Sequence, residues 1–146
     1  MSLAGNAKVR SAFQLSAEPS PEKPRVLLAE DQGEMRSMVS SRLKREGYEV
    51  MEALDGDDLL RQLQAALLSG RPPQAIVSDV RMPGVSGLEV LARVRRADKA
   101  TPVVLITAFG DADLHSTAER LGADCVLDKP FDLDQLVHVL WSLVEP

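Results

Sequence analysis

Five short apolar runs, each followed by a stretch with helical spacing, constrain this chain more than any other feature. Val26-Leu27-Leu28-Ala29, residues 48–53, Ala75-Ile76-Val77, Val103-Val104-Leu105-Ile106 and Cys125-Val126-Leu127 read as strands. After the first, Met35, Met38, Val39, Arg42 and Leu43 recur at helical spacing, and Gly47 stops the segment. Leu59, Leu60, Leu63, Ala66 and Leu67 mark a second helix that ends at Gly70. Leu88, Val90, Leu91 and Val94 mark a third, Leu114, Ala118 and Leu121 a fourth, and residues 133–144 a fifth.

Runs without polar interruption suit strands covered on both faces. Each connection is long enough for a parallel crossover, so the alternation implies a parallel sheet flanked by helices. Right-handed crossovers leave few topologies, and for five units the natural one is a flavodoxin-like, doubly wound α/β fold of strand order 2-1-3-4-5.

At 146 residues the chain is long enough for one domain with a real core. That domain is expected over residues 25–146. Residues 1–24 end in Glu18-Pro19-Ser20-Pro21-Glu22-Lys23-Pro24, where three prolines prevent regular structure, and read as a tail or linker. Aromatic residues make up 3%, so the core must be aliphatic. A formal charge of −5 argues against direct nucleic-acid binding. Arg93, Arg95 and Arg96, with Glu89 and Asp98 nearby, read as the solvated face of a helix. No apolar run reaches the ~20 residues that span a bilayer, and the lone Cys125 is compatible with a reducing cytoplasm.

Open parallel sheets carry their sites at the carboxyl ends of the strands. Here the first strand ends in Glu30-Asp31, the third in Ser78-Asp79, the fourth in Thr107 and the fifth in Asp128-Lys129. In the expected order these strands are successive neighbours, so their ends line one pocket of carboxylates, a hydroxyl and an ammonium. Crowded carboxylates need a proton or a hard cation. Oxygen ligands without convergent His or Cys favour Mg²⁺. A carboxylate is also a known covalent phosphoryl acceptor. Taken singly, each residue has a plainer reading as a helix cap, a turn former or a solvated lysine. Their coincidence at four strand ends is what points to phosphoryl transfer.

With those residues in view, the segment 25–144 resembles the receiver domains of bacterial response regulators. Val26-Leu27-Leu28-Ala29-Glu30-Asp31 is similar to the family's first strand and acidic pair. Asp79-Val80-Arg81-Met82-Pro83-Gly84-Val85-Ser86-Gly87 is similar to its phosphoacceptor loop. Thr107-Ala108 matches the hydroxyl position, and Lys129-Pro130-Phe131 the lysine motif, usually with a cis peptide before the proline.

The resemblance implies that Asp79 takes a phosphoryl group from a phosphohistidine of a sensor kinase or phosphotransfer protein. It implies Mg²⁺ held by Asp31, Asp79 and the main-chain carbonyl of Arg81, with Glu30 acting through water. Thr107 and Lys129 would bind the phosphoryl oxygens. Such a domain is a switch rather than a conventional enzyme, catalysing only its own phosphorylation and dephosphorylation. Arg81 and Phe109 would flank the path of hydrolytic water and slow the loss of phosphate.

Two residues depart from the family's usual pattern. Glu30 stands where Asp is commoner. Val126 stands where Tyr or Phe is frequent, so an aromatic rotation there is not available to carry the signal. Two alternatives compete with this reading. A pseudo-receiver that never gains phosphate would lack the acceptor, an acid or the lysine, and all are present. A flavodoxin-like nucleotide or flavin binder would need a Gly-rich first turn or a Walker-type run, and neither occurs.

His115 and His138 read as solvated helix residues. On the last helix Leu133, Leu136, Val137, Leu140, Leu143 and Val144 form one apolar stripe, flanked by Val139 and Trp141. Either neighbouring helices cover both flanks, or one flank joins the helix over 112–121 in a surface for a downstream target, an output domain or a phosphorylation-dependent homodimer. That face comprises the fourth helix, fifth strand and fifth helix.

Overall fold

The computed structural model describes residues 22–108 and 112–146. The tail expected over residues 1–24 lies outside them apart from its last three residues, as does Phe109.

Ten elements alternate: β1 (Arg25–Ala29), α1 (Gly33–Arg45), β2 (Glu49–Ala53), α2 (Gly56–Leu68), β3 (Ala75–Asp79), α3 (Gly87–Ala97), β4 (Val103–Ala108), α4 (Ala112–Leu121), β5 (Cys125–Lys129) and α5 (Leu133–Leu143). All strand pairs are parallel, in the order β2-β1-β3-β4-β5. The fold expected from periodicity is the one observed.

Burial explains which runs became which strands. Every residue of β1 and β3 is buried, and so are the first five of β4. These are the central strands, and their sequences are the unbroken apolar ones. Each edge strand buries one residue, Ala53 in β2 and Leu127 in β5, and the rest are half-buried or exposed.

Two apolar layers sandwich the sheet. One gathers Leu59 of α2, Val90, Leu91 and Val94 of α3 and Ala118 of α4 over Leu27, Ile76 and Leu105. The other gathers Val39 and Leu43 of α1 and Leu136 and Leu140 of α5 over Val26, Leu28, Val77, Val104 and Leu127. Side chains alternate between the faces with the two-residue period of a strand.

Among the described residues, three helices begin on a side-chain cap. The carboxylates of Asp55 and Asp132 and the hydroxyl of Ser86 accept from the backbone N–H groups of Asp58, Asp134 and Glu89. After α1 the chain turns at Gly47 with φ +107°, a left-handed conformation that favours glycine.

Two expectations need correction here. Arg95 is not solvated: its side chain is 14% exposed and donates to the carbonyl of Gly122 and to Asp124. It reaches from α3 to the turn after α4, a partner distant in sequence. The exposed flank of α5 is the one bearing Trp141, 47% exposed, and it faces Arg42 of α1 and the capping residue Glu46 across a shallow cleft. It faces α1 rather than α4 because α1 and α5 share one side of the sheet, whereas α4 packs on the other. Val139, on the opposite flank, is packed against the α1–α5 core.

Candidate phosphoacceptor and metal site

The register of the sheet brings the functional candidates together. Asp79 ends β3 opposite Ile106, one residue before Thr107, and Thr107 and Ala108 pair with Asp128 and Lys129. Glu30 and Asp31 follow the last residue of β1, where the chain leaves the ladder toward α1. Glu30 is 2% exposed and Asp79 5%, whereas Asp31 is exposed.

Carboxylate oxygens of Glu30, Asp31 and Asp79 all lie within 4.8 Å of one another. Lys129 answers them from β5. Its Nζ donates to Asp79 Oδ2 at 3.0 Å and lies 3.6 Å from Glu30 Oε1. One ammonium therefore faces three carboxylates, and negative charge is left over. Burial raises the Glu30 carboxyl above the usual carboxylate range, and the charge of Asp79 adds to this. The N–H of Gln32 and the ammonium of Lys129 oppose it without cancelling it. Burial also works against the charge on Lys129. Its hydrogen bond to Asp79 and the charges of Asp79 and Glu30 outweigh that and hold the ammonium above its ordinary value.

The hydroxyl of Thr107 adds an independent sign. Thr107 is fully buried at the end of β4, and its Oγ1 has no hydrogen-bond partner. An unpaired buried hydroxyl costs roughly 1–3 kcal/mol, a cost that an arriving oxygen-rich group would relieve.

The loop after Asp79 is shaped by close approaches that only glycine permits. A Cβ on Gly87 would lie 2.5 Å from the carbonyl oxygen of Asp79, so α3 can begin against Asp79 only without a side chain there. Gly84 adopts φ +78° at the tip. The N–H of Val80 donates to Ile106 and that of Gly87 to Val80, so both ends of the loop are held. Arg81 and Pro83 are exposed at its outer side, and Met82 is buried. The Lys129–Pro130 peptide is cis.

The residues present fit a hard divalent cation and a phosphoryl group. They supply clustered oxygen donors, surplus negative charge, one ammonium and one unpaired hydroxyl, and no His or Cys lies within the cluster.

Comparison with known proteins decides the family. Residues 26–140 match the family described as the response regulator receiver domain. This chain belongs to that family. Sporulation initiation phosphotransferase F of Bacillus subtilis is 30% identical over 113 residues, which is 77% of this chain and 86% of that protein. Transcriptional regulatory protein TcrA of Mycobacterium tuberculosis is 38% identical over 119 residues, 82% of this chain but 45% of that protein. The chain thus spans less than half the length of that regulator.

Among solved structures, chemotaxis protein CheY4 of Vibrio cholerae superimposes with a TM-score of 0.75 at 32% identity, covering 84% of this chain and 99% of that one. Response regulator TrrA of Thermotoga maritima, solved in complex with Mg²⁺-BeF, superimposes with a TM-score of 0.71 at 30% identity, covering 83% and 99%. The receiver domain is a phosphoryl-accepting signalling switch of two-component systems, and its acidic pocket is present here. Among the described residues no helix is long and apolar enough to cross a membrane.

Some residues around the pocket escaped the sequence reading. Arg36 of α1 donates to the carbonyl of Glu30 at 2.7 Å and is itself paired with Glu52, 3.4 Å away on β2. It fixes the turn that presents Glu30 and Asp31. Its position three residues into α1 was legible, but its target, a main-chain oxygen, was not. Similarly, His115 is not simply solvated. Its Nε2 lies 2.7 Å from Asp128 Oδ1, joining α4 to β5. His138 is exposed, as expected.

Proposed function

We propose that Asp79 accepts a phosphoryl group from the phosphohistidine of a sensor kinase or phosphotransfer protein, and that the acylphosphate alters a partner-binding surface. The observation that carries this reading is the juxtaposition at Asp79. Its carboxylate is nearly buried, held by Lys129 at 3.0 Å, with two further carboxylates within reach of a shared cation.

In the transfer, an oxygen of Asp79 forms a bond to phosphorus as the bond from phosphorus to the donor imidazole nitrogen breaks. That nitrogen keeps the bonding pair. Phosphoryl transfer is mostly positioning and charge neutralisation. Lys129 neutralises charge on one side of Asp79, and the Thr107 hydroxyl supplies a donor at the end of the neighbouring strand. Asp31, Asp79 and the carbonyl of Arg81 would hold Mg²⁺, with Glu30 acting through water. The ion, when bound, offsets the charge of the carboxylates and of the phosphoryl oxygens. Arg36, by pinning the Glu30 carbonyl, keeps the acidic turn in place.

Partners of the switch are a kinase or phosphotransfer protein upstream and a protein target or fused output domain downstream, in a cytoplasmic setting. The surface we assign to output is the α4 side of the fold, together with β5 and the adjoining part of α5. Residues 25–146 would act as the receiver unit and the preceding residues as a linker.

Incubation with acetyl phosphate and Mg²⁺ tests the site. Intact-mass spectrometry is expected to show one added phosphoryl group, absent in Asp79→Asn. Undiminished labelling of that variant would move the acceptor elsewhere.

A further inference from the structure

The two groups positioned to hold phosphoryl oxygens, Thr107 and Lys129, flank a third residue. Asp128 precedes Lys129 along β5 and is the register partner of Thr107 across the β4–β5 ladder. Parallel neighbours in register project to the same face, so Asp128 and Thr107 share the side covered by α3 and α4. Leu105 and Val126, two residues earlier on each strand, pack into the core of that same side. From α4, His115 meets Asp128 with Nε2 2.7 Å from Oδ1, and the two side chains are 38% and 37% exposed.

We propose that the His115–Asp128 contact is the link by which phosphorylation of Asp79 repositions α4. This rests on the reading of Asp79 given above and names how its signal leaves the pocket. Thr107 has a buried hydroxyl without a partner, and Lys129 is engaged with Asp79 and Glu30. A phosphoryl group on Asp79 offers acceptors to both and draws the ends of β4 and β5 toward it. Asp128 lies between these two anchors, one along the strand and one across it, so it moves when they move. His115 is bonded to it directly, and the displacement enters α4 in its first turns.

The helix is suited to respond. Among its residues only Ala118 is buried, with Leu114 and Leu121 partly covered, so its attachment rests on few apolar contacts. Val126, the residue beneath, is an aliphatic side chain with no polar tip and no ring to swing. The polar connection between strand and helix runs through His115 instead.

Amide exchange of residues 112–121, read by mass spectrometry with and without beryllofluoride and Mg²⁺, tests the link. Intact-mass labelling of Asp79 by acetyl phosphate is measured for each variant. In the wild type, beryllofluoride is expected to change exchange in α4 at least about threefold, the scale of a local opening equilibrium that has been rebalanced. In His115→Ala and in Asp128→Ala the response is lost while Asp79 labelling persists. The double variant is no worse than either single one, as expected when both remove the same contact. His115→Gln, which retains a side-chain N–H donor, recovers part of the response.

An α4 response in His115→Ala equal to wild type, with labelling intact, overturns the link and leaves the phosphoacceptor reading standing. Loss of labelling in that variant would also overturn it, by making the pair a support of the pocket. An unlabelled wild type would overturn the reading beneath it as well.

Discussion

Helices α4 and α5 lie on opposite faces of the same sheet edge and are fastened in opposite ways. α5 buries Leu136 and Leu140 completely and packs Leu133, Val137, Val139 and Leu143 around them. Its end is tied down by Tyr48, whose hydroxyl donates to the carbonyl of Val144 at 2.6 Å. α4 buries Ala118 alone and relies on polar tethers, His115 to Asp128 and Arg95 to the turn at Gly122. Stabilisation follows apolar area removed from water, so α5 belongs to the frame and α4 to the mobile end of the stability range. A switch needs both, because a displaced strand end moves only what is loosely held.

The largest expected effect breaks the frame. Leu136→Ala removes a fully buried side chain from the α1–α5 core and should cost about 2–5 kcal/mol. Leu114→Ala on half-buried α4 should cost about 1 kcal/mol or less, since less area leaves the core. Urea unfolding of the two variants measures both. Equal losses would mean that α4 is as much a part of the frame as α5.

A second prediction concerns the tie at the end of α5. Tyr48 is buried, and burial together with the nearby charges of Glu46 and Glu145 pushes its phenol up from 10.0 to about 12. The folded state therefore favours the neutral phenol more than the unfolded state does. Its contribution is complete below about pH 10 and disappears as pH rises through about 12. Two units correspond to roughly 2–3 kcal/mol. The wild type should lose about that much relative to Tyr48→Phe across this window, with chemical denaturation at each pH as the measurement. Parallel pH profiles would show that Tyr48 is not held as tightly as its burial indicates.

This contrast also marks what the sequence could reveal. The strands were legible because β1, β3 and β4 are covered on both sides and carry unbroken apolar runs. The convergence of the candidate residues was legible for a topological reason: parallel order forces the ends of β1, β3, β4 and β5 together, so Glu30, Asp31, Asp79, Thr107 and Lys129 had to be neighbours. Side-chain partners across the chain were not legible. Nothing in the local pattern pairs His115 with Asp128, Arg95 with Asp124 or Arg36 with the carbonyl of Glu30. The orientation of Trp141 failed similarly. A helical wheel shows that the apolar arc is wide, but not which neighbouring helix the surplus will face.

A third prediction uses the metal to separate the two helices. If Mg²⁺ binds at Glu30, Asp31 and Asp79, it stabilises the native state by mass action, by about 1.4 kcal/mol at ten times its dissociation constant. Amides of α5 that exchange through global unfolding should then slow by about tenfold. Amides of α4 that exchange through local opening should hardly respond to the ion alone. Asp31→Ala should remove the effect on α5. Equal slowing in both helices would mean that α4 opens only when the whole domain unfolds.

The smallest effect is expected at the ion pair between α1 and α5. Arg42 of α1 reaches Asp134 of α5 and also bonds Glu46, the residue that caps the end of α1. The pair looks like a clasp, yet the Asp134 side chain is 74% exposed. Charges so open to water are screened, and holding two long side chains in one geometry costs entropy. The frame should therefore depend on Leu136, Leu140 and Tyr48 and hardly on this pair. Arg42→Gln is expected to shift the unfolding midpoint less than Tyr48→Phe does and to leave amide exchange in α5 unchanged. Added salt should likewise leave α5 protected, because apolar burial is not screened. If Arg42→Gln instead loosens α5 as much as Leu136→Ala does, the attachment is ionic. The distinction between an apolar frame and a polar-tethered α4 would then fail at the helix on which it was built.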